Sequence, residues 1–362
     1  MLSDNKKISI RQAIFILLTL NYTPTIRLIP SYAAQRAKQA SWLSPIVTFI
    51  LLVMLVQVWQ AIYRKYRNDT LMEIFRDIAG PVAGTVILVV YLVWMVVLSA
   101  LYVRYFAMRL VGAIYPNAEI SIFIISMLAV IIYTLNFGLP TLARFNEVVF
   151  PFLVFVFFLL FLMMIPNFRT DFLTPVTARS IWPIIEASVA STGIVAYFSF
   201  IFIFGDRINN KESIGKVGFR MAVFLAVMQI IVIVSILCTF SHRIAQRTQL
   251  PYLTAVKQIN VFNIFEKVES IVVSIWVLSD FMIICFFIMC ILSMLKSFFR
   301  LSDTRPLTSI YVIFLYLLSM IMANNVFEME RLSEKIALPA NILLGFVIPA
   351  AMFVIGKIRK KV

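Results

Sequence analysis

Asp280 is the residue most capable of chemistry in this chain, because it sits inside the apolar run VLSDFMI with Ser274 and Ser279 close by. A carboxylate at the centre of such a run costs about 2.5–3.5 kcal/mol on the gentler insertion scales, so a proton, a cation or a paired base must accompany it. Arg27 stands a few residues past Pro24 in NYTPTIRLIP and could pair with Asp280 or clamp a ligand carboxylate through its planar guanidinium. The plainer readings are a structural ion pair for Asp280 and, for Arg27, a side chain that reaches to the membrane surface. Thr23 and Thr25 flank Pro24, which lacks an amide hydrogen and clashes with the preceding helical turn. Ser191, Thr192 and Gly193 form a second loosened stretch in ASVASTGIVAY. Broken helices expose backbone donors and acceptors, so these residues form one candidate ligand-binding set: Thr23, Thr25, Arg27, Ser191, Thr192, Gly193, Ser274 and Asp280. Tyr91, Ser99, Asn136 and Tyr197 are weaker candidates for a polar interior, while Glu147 and Glu186 read as residues of span ends.

Bond-making chemistry finds little to work with. The single histidine, His242, lies in a basic loop, and no Walker A loop, GxGxxG, GxSxG or HExxH is present. Cys238, Cys285 and Cys290 all fall in apolar runs without CxxC or Cys/His spacing, which supports neither a disulfide framework nor a zinc site. The expectation is reversible binding with no enzyme activity, no metal and no cofactor.

The elements that must position these groups are membrane helices. The 362 residues are 62% hydrophobic and only 14% charged, too apolar to be covered by polar surface in water. Windows of about 20 residues pick out ten spans. They lie near 10–32, 41–63, 82–103, 119–137, 145–165, 183–204, 217–240, 269–295, 307–323 and 337–356. The net charge of +15 comes from short basic clusters between these runs, which suits anionic lipid headgroups and not nucleic acid. Lys6, Lys7, Arg64, Lys65, Arg67 and the Lys357–Lys361 cluster fall on the side that collects more positive charge, so both termini are expected in the cytoplasm. The N-terminus lacks the pattern of a cleaved signal peptide.

One segment between spans reads differently. In RKYRNDTLMEIFRDIAGP, Thr70 and Glu73 form a capping box, and Leu71, Ile74, Phe75 and Ile78 share one face before Gly80-Pro81. This predicts a short helix lying on the membrane, either as an interfacial anchor or as a docking site for a partner subunit.

Ten spans split into two fives, and an odd number per half turns the second half upside down, the parity of an inverted repeat. The chain is expected to form one transmembrane domain over 1–362, with repeats at about 10–165 and 183–356, each opening on an interrupted helix. Four stretches then carry a family likeness: ISIRQAIFIL, TLMEIFRDIAGPVAG, YFSFIFIFGD and VESIVVSIWVLSDF, in this order along the whole chain. Together they resemble the B subunit of bacterial spore germinant receptors, within the amino acid, polyamine and organocation transporter superfamily. The resemblance implies an all-α polytopic membrane protein of about ten transmembrane helices, a LeuT-like five-plus-five inverted repeat with helices 1 and 6 broken. It implies a nutrient-recognition subunit, similar to amino acid permeases, in the inner membrane of the spore. It also implies partnership with a larger membrane A subunit and a lipoprotein C subunit, and coupling of nutrient binding to ion release. The alternatives are an independent amino acid or cation secondary transporter and a scaffold subunit without a ligand of its own. This chain departs from the superfamily in one respect: Thr23, Pro24, Thr25, Ile26 and Arg27 occupy a stretch where glycines are usual, so fewer amides are presented and Arg27 could fix a carboxylate instead.

Overall fold

The computed structural model describes residues 7–259 and 268–362; the side chains of Val268 and Glu269 lie outside that description, as does Lys6 of the basic cluster. Short strand β1 (Ile8–Ser9) leads into α1 (Ile10–Arg27), followed by α2 (Ile29–Ala37) and α3 (Ser44–Lys65). The chain continues through α4 (Leu71–Ala79), α5 (Pro81–Ala113), α6 (Ile120–Leu135), α7 (Gly138–Met164) and α8 (Ile181–Val195). A 3-10 segment (Ala196–Arg207) and strand β2 (Ile208–Asn209) lead to α9 (Ile214–Ala245), α10 (Pro251–Val256), α11 (Val268–Phe299) and α12 (Arg305–Ile321). The last helical stretch, Val326–Ile358, comprises α13 (Val326–Leu332), α14 (Leu338–Ile342) and α15 (Ile348–Ile358), joined by π turns at Ser333–Ala337 and Leu343–Val347.

Among the described residues, seven stretches are long and apolar enough to cross a membrane: Ile29–Lys65, Pro81–Ala113, Gly138–Asn167, Ala178–Arg207, Lys211–Ala245, Ser270–Phe299 and Val326–Ile358. With the shorter apolar helices α6 and α12 and the buried α1, they account for the ten runs read from the sequence. Large apolar side chains such as Ile50, Met54, Val93, Phe155 and Leu317 stand exposed around the bundle. In water such surface would be an aggregation hazard, but lipid accepts it without cost. Inside, α1, α5, the 3-10 segment and α11 supply the main core, while Tyr22 and Ile26 of α1 join α7, α9 and α10 in a second cluster.

Two expectations about the breaks need correction. Pro24 does not interrupt α1; the helix runs through it, with Leu28 N donating to Pro24 O at 2.9 Å, and the joint is the single residue Leu28. Surrounding helices tolerate the lost proline bond, as is common in membrane spans. In the sixth span the α-helix persists past Ser191, Thr192 and Gly193 and gives way to 3-10 geometry only at Ala196. Gly193 has a packing purpose instead. A Cβ there would come within 2.8 Å of the Leu338 side chain, so its absence lets α8 lie directly on α14.

The short helix α4 forms where expected, with Thr70 Oγ1 accepting from Glu73 N at 3.3 Å and Glu73 Oε2 accepting from Thr70 N at 2.7 Å. Its apolar face is not left for lipid or a partner. Leu71, Ile74, Phe75 and Ile78 are fully buried against the chain's own core, and α4 packs on α5, α15 and the 3-10 segment. Gly84 makes the α4–α5 approach feasible, since a Cβ there would fall 2.7 Å from Phe75 O. The C-terminus closes over the same helix: Arg359 Nη1 donates to Ile78 O at 2.6 Å and Lys361 Nζ to Asp77 Oδ1 at 2.7 Å. β1 pairs in parallel with β2, setting Ile8 against Ile208 and Ser9 against Asn209.

Candidate ligand-binding site

A partly enclosed cavity of about 30 Å³ lies where the α1–α2 joint faces α5, α8 and the π turn before α14. Its walls include Pro24, Arg27 and Leu28, then Leu98, Leu101, Tyr102 and Tyr105 of α5. The remaining wall is Ile194 and Tyr197 on one side and Ser333, Ala337, Leu338 and Asn341 on the other. That volume has room for no more than about two water molecules, so a ligand enters only where the walls move apart. The π turn matters here, because the added residue rotates successive side chains and brings Ser333 and Asn341 to the same wall.

The polar groups of the pocket are ordered by hydrogen bonds. Trp94 Nε1 donates to Asn341 Oδ1 at 2.8 Å, which fixes the amide so that Nδ2 faces the Tyr197 hydroxyl at 3.4 Å. The Tyr197 and Tyr102 hydroxyls are 2.7 Å apart. On the opposite side Tyr105 OH donates to Met329 O at 2.8 Å and meets Ser333 Oγ at 2.6 Å. The Arg27 guanidinium lies over the Tyr105 ring, 3.7 Å from its centroid, in a cation–π contact.

Next to this pocket is a buried ion pair. Asp280 of α11, 1% exposed, binds Nη2 of Arg109 near the end of α5, and the Arg109 guanidinium also lies 5.2 Å from the Trp276 ring centroid. Arg109 thus takes the place the sequence offered to Arg27 as partner of Asp280. Arg27 remains close enough to feel the charges of both. Ser279 Oγ donates to Thr19 O at 2.9 Å, anchoring α11 to α1 beside the pair.

The structure brings together only part of the set expected from sequence. Arg27 lines the pocket, and Asp280 stands behind it through Arg109. Thr23, Thr25 and Ser191 are buried but lie outside the lining, and their hydroxyls find no hydrogen-bond partner among the described residues. Thr192 faces Thr48, with hydroxyls 3.4 Å apart, as part of the α3–α8 contact. Ser274 is on the exposed side of α11 and bonds back to Ser270 O at 2.9 Å, so it turns away from the pocket. Of the weaker candidates, Tyr197 lines the site, Tyr91 donates to Leu344 O, Ser99 meets Tyr311 OH at 2.8 Å, and Asn136 is exposed. Sequence reading missed Tyr102, Tyr105, Ser333, Asn341 and Arg109. Arg109 could have been found from the apolar run that continues past residue 103 to Ala113.

Comparison with known proteins bears on the family and the fold. Over its full length the chain is 23% identical to Spore germination protein YndE of Bacillus subtilis (strain 168), covering 99% of that protein. It is 22% identical to Spore germination protein KB of the same organism, over 99% of this chain and 96% of that one. Among solved structures, the crystal structure of MhsT in complex with L-phenylalanine superposes with a TM-score of 0.69 over 98% of this chain and 99% of that one, at 11% identity. The likeness is one of fold, a LeuT-like helical architecture. Residues 7–327 match the family described as Spore germination protein, and the chain belongs to that family of integral membrane proteins.

Proposed function

We propose that this chain is the nutrient-recognising membrane subunit of a spore germination receptor, and that the germinant binds in the pocket between the α1–α2 joint, α5, α8 and α14. The observation that carries this reading is the pocket itself: a small chamber at the discontinuities of the first and sixth spans, lined by Arg27, Tyr102, Tyr197 and Asn341. A permease-like fold and a family named for germination support a receptor or permease and not an enzyme. In this reading the ligand favours one of two conformations, which requires contacts that differ between them. Groups on separate elements, such as Arg27 and Asn341, meet that requirement. Ion release would follow in an assembly with a larger membrane A subunit and a lipoprotein C subunit in the spore inner membrane. Both termini would face the cytoplasm, where their Lys and Arg would meet anionic lipid.

The test is nutrient-triggered germination of spores carrying Tyr197→Phe or Asn341→Leu, with the membrane abundance of the chain measured alongside. A changed nutrient threshold or preference at normal abundance supports the reading. Unchanged thresholds at normal abundance would point to a scaffold subunit instead. An independent transporter is the second reading, favoured by the buried Asp280, whose Oδ1 has no hydrogen-bond partner among the described residues. Accumulation of a labelled amino acid by vesicles holding this chain alone would establish it.

A further inference from the structure

We infer that the pocket selects a small anion, a carboxylate-bearing molecule without an ammonium group, in preference to a zwitterionic amino acid. The inference rests on the proposed ligand role of this pocket and adds the charge of the ligand to it.

The first ground is charge. Of the residues lining the pocket only Arg27 is ionic, and it carries a positive charge. The nearest buried carboxylate, Asp280, is already held by Arg109. Arg27, Arg109 and Asp280 therefore leave one positive charge over, and no carboxylate of the lining is present to receive an ammonium. Glu334, further along the π turn, is engaged by Arg36 at 3.8 Å. Glu330 of α13 lies within electrostatic reach of Arg27 but outside the lining.

The second ground is the hydrogen-bond count. Trp94 is a donor only, so Asn341 Oδ1 is its acceptor and Asn341 Nδ2 must donate towards Tyr197. Tyr102 and Tyr197 own two phenolic hydrogens, and the bond between them uses one. Whichever tyrosine donates in that bond, the other hydrogen is left over. Across the pocket, Tyr105 spends its hydrogen on Met329 O, which leaves the Ser333 hydroxyl as donor in the Tyr105–Ser333 contact. One phenolic hydrogen is thus left over beside the Arg27 guanidinium; the hydroxyl oxygens keep lone pairs as well, so it is the charge of Arg27 that favours an anion. A ligand that offers lone pairs and negative charge satisfies both.

The third ground is backbone. In a fold with an unwound first span, free carbonyl oxygens could accept from an ammonium. Here α1 stays helical to Arg27, Pro24 O accepts from Leu28 N, and Leu28 O accepts from Tyr32 N at 3.3 Å. Those two acceptors are in use, while Ile26 O lacks its helical donor because the residue four positions on is Pro30. The ring of Tyr105, which could otherwise hold an ammonium by cation–π attraction, is covered by Arg27.

The experiment measures thermal stabilisation of the purified full chain in lipid nanodiscs by matched three-carbon ligands: lactate, alanine and lactamide, with propionate and larger 2-hydroxy acids and amino acids extending the series. The expected result is stabilisation by the anions at concentrations at least tenfold lower than by the zwitterions or neutral amides of the same size. Arg27→Gln should abolish that preference and Arg27→Lys should keep part of it. Glu330→Gln should leave it unchanged. Zwitterions that stabilise as well as the anions would overturn the inference while leaving the ligand role intact, the more so if Glu330→Gln removed their effect. If no compound of any charge stabilises the chain, the ligand role of the pocket fails and the inference with it. Should Arg27→Gln not fold, the ligand series on the unaltered chain still decides.

Discussion

Arg109 and Asp280 form an ion pair across α5 and α11, with side chains 5% and 1% exposed. The pair leaves Asp280 Oδ1 and two guanidinium nitrogens of Arg109, Nε and Nη1, without hydrogen bonds among the described residues. A buried pair with unmet valences is poor value as a source of stability, because desolvation offsets much of the Coulomb gain.

Breaking the pair on one side should therefore cost more than removing it. We expect Asp280→Asn to destabilise the chain by about 3–5 kcal/mol, since it strands the Arg109 charge, whereas Arg109→Met with Asp280→Leu should recover most of that loss. Thermal unfolding of the single and double variants in one detergent checks this. A double variant no more stable than the worse single would show that the two groups do not act as a pair.

Glycine replacements should separate helix contact from helix propensity. A Cβ on Gly345 would fall 2.5 Å from both Ala196 O and Ala196 Cβ, so Gly345→Ala should force the 3-10 segment and the last span apart and cost about 1–3 kcal/mol. Gly112, near the end of α5, has nothing within 4 Å of that position, and Gly112→Ala should be neutral or stabilising by up to about 1 kcal/mol. Comparing melting temperatures of the two variants reads the difference directly.

The C-terminal clasp on α4 predicts an acid-sensitive contact. Hydrogen bonds from Lys361 and from Tyr66, at 2.7 Å and 2.6 Å, hold the Asp77 carboxyl below the usual carboxylate range. A carboxyl lowered in the folded state stabilises fully above its unfolded value near 3.9 and loses that contribution as pH falls through the lower folded value. We expect the stability gap between the unaltered chain and Asp77→Asn to be constant from pH 7 to about 5 and to close below about pH 4. Because Asp77 is half exposed, the gap should shrink in high salt.

Within the pocket, Tyr197→Phe removes one hydroxyl from the Asn341–Tyr197–Tyr102 chain while keeping the ring. A loss of about 0.5–1.5 kcal/mol in ligand binding, or roughly two- to tenfold in apparent affinity, is expected if that chain presents the surplus donor. Ligand-induced stabilisation measured on the same preparation as above checks it.

How far the sequence reached can be judged residue by residue. The spans were legible because hydropathy over about 20 residues is a local property, and the α4 helix was legible because its cap and apolar face both lie within nine residues. What covers that face was not legible, since α5 and α15 are supplied by distant parts of the chain. Pro24 pointed to the right neighbourhood, yet the pocket formed at Leu28 and not at Thr23 or Thr25, because neighbouring helices decide whether a proline breaks a span. The partner of Asp280 depended on a helix of 33 residues, about 50 Å long, reaching well beyond the window that defined the third span. Ser274 failed for a simpler reason: six residues from Asp280 is about 600° of helical rotation, which turns the two side chains about 120° apart.

The parallel pairing of Ile8–Ser9 with Ile208–Asn209 joins the residues just before α1 to those just after the 3-10 segment. The two discontinuous spans are thus yoked at one end, like two levers sharing an axle. A tilt of the first span therefore loads this pairing, which has either to part or to carry the end of the sixth span with it.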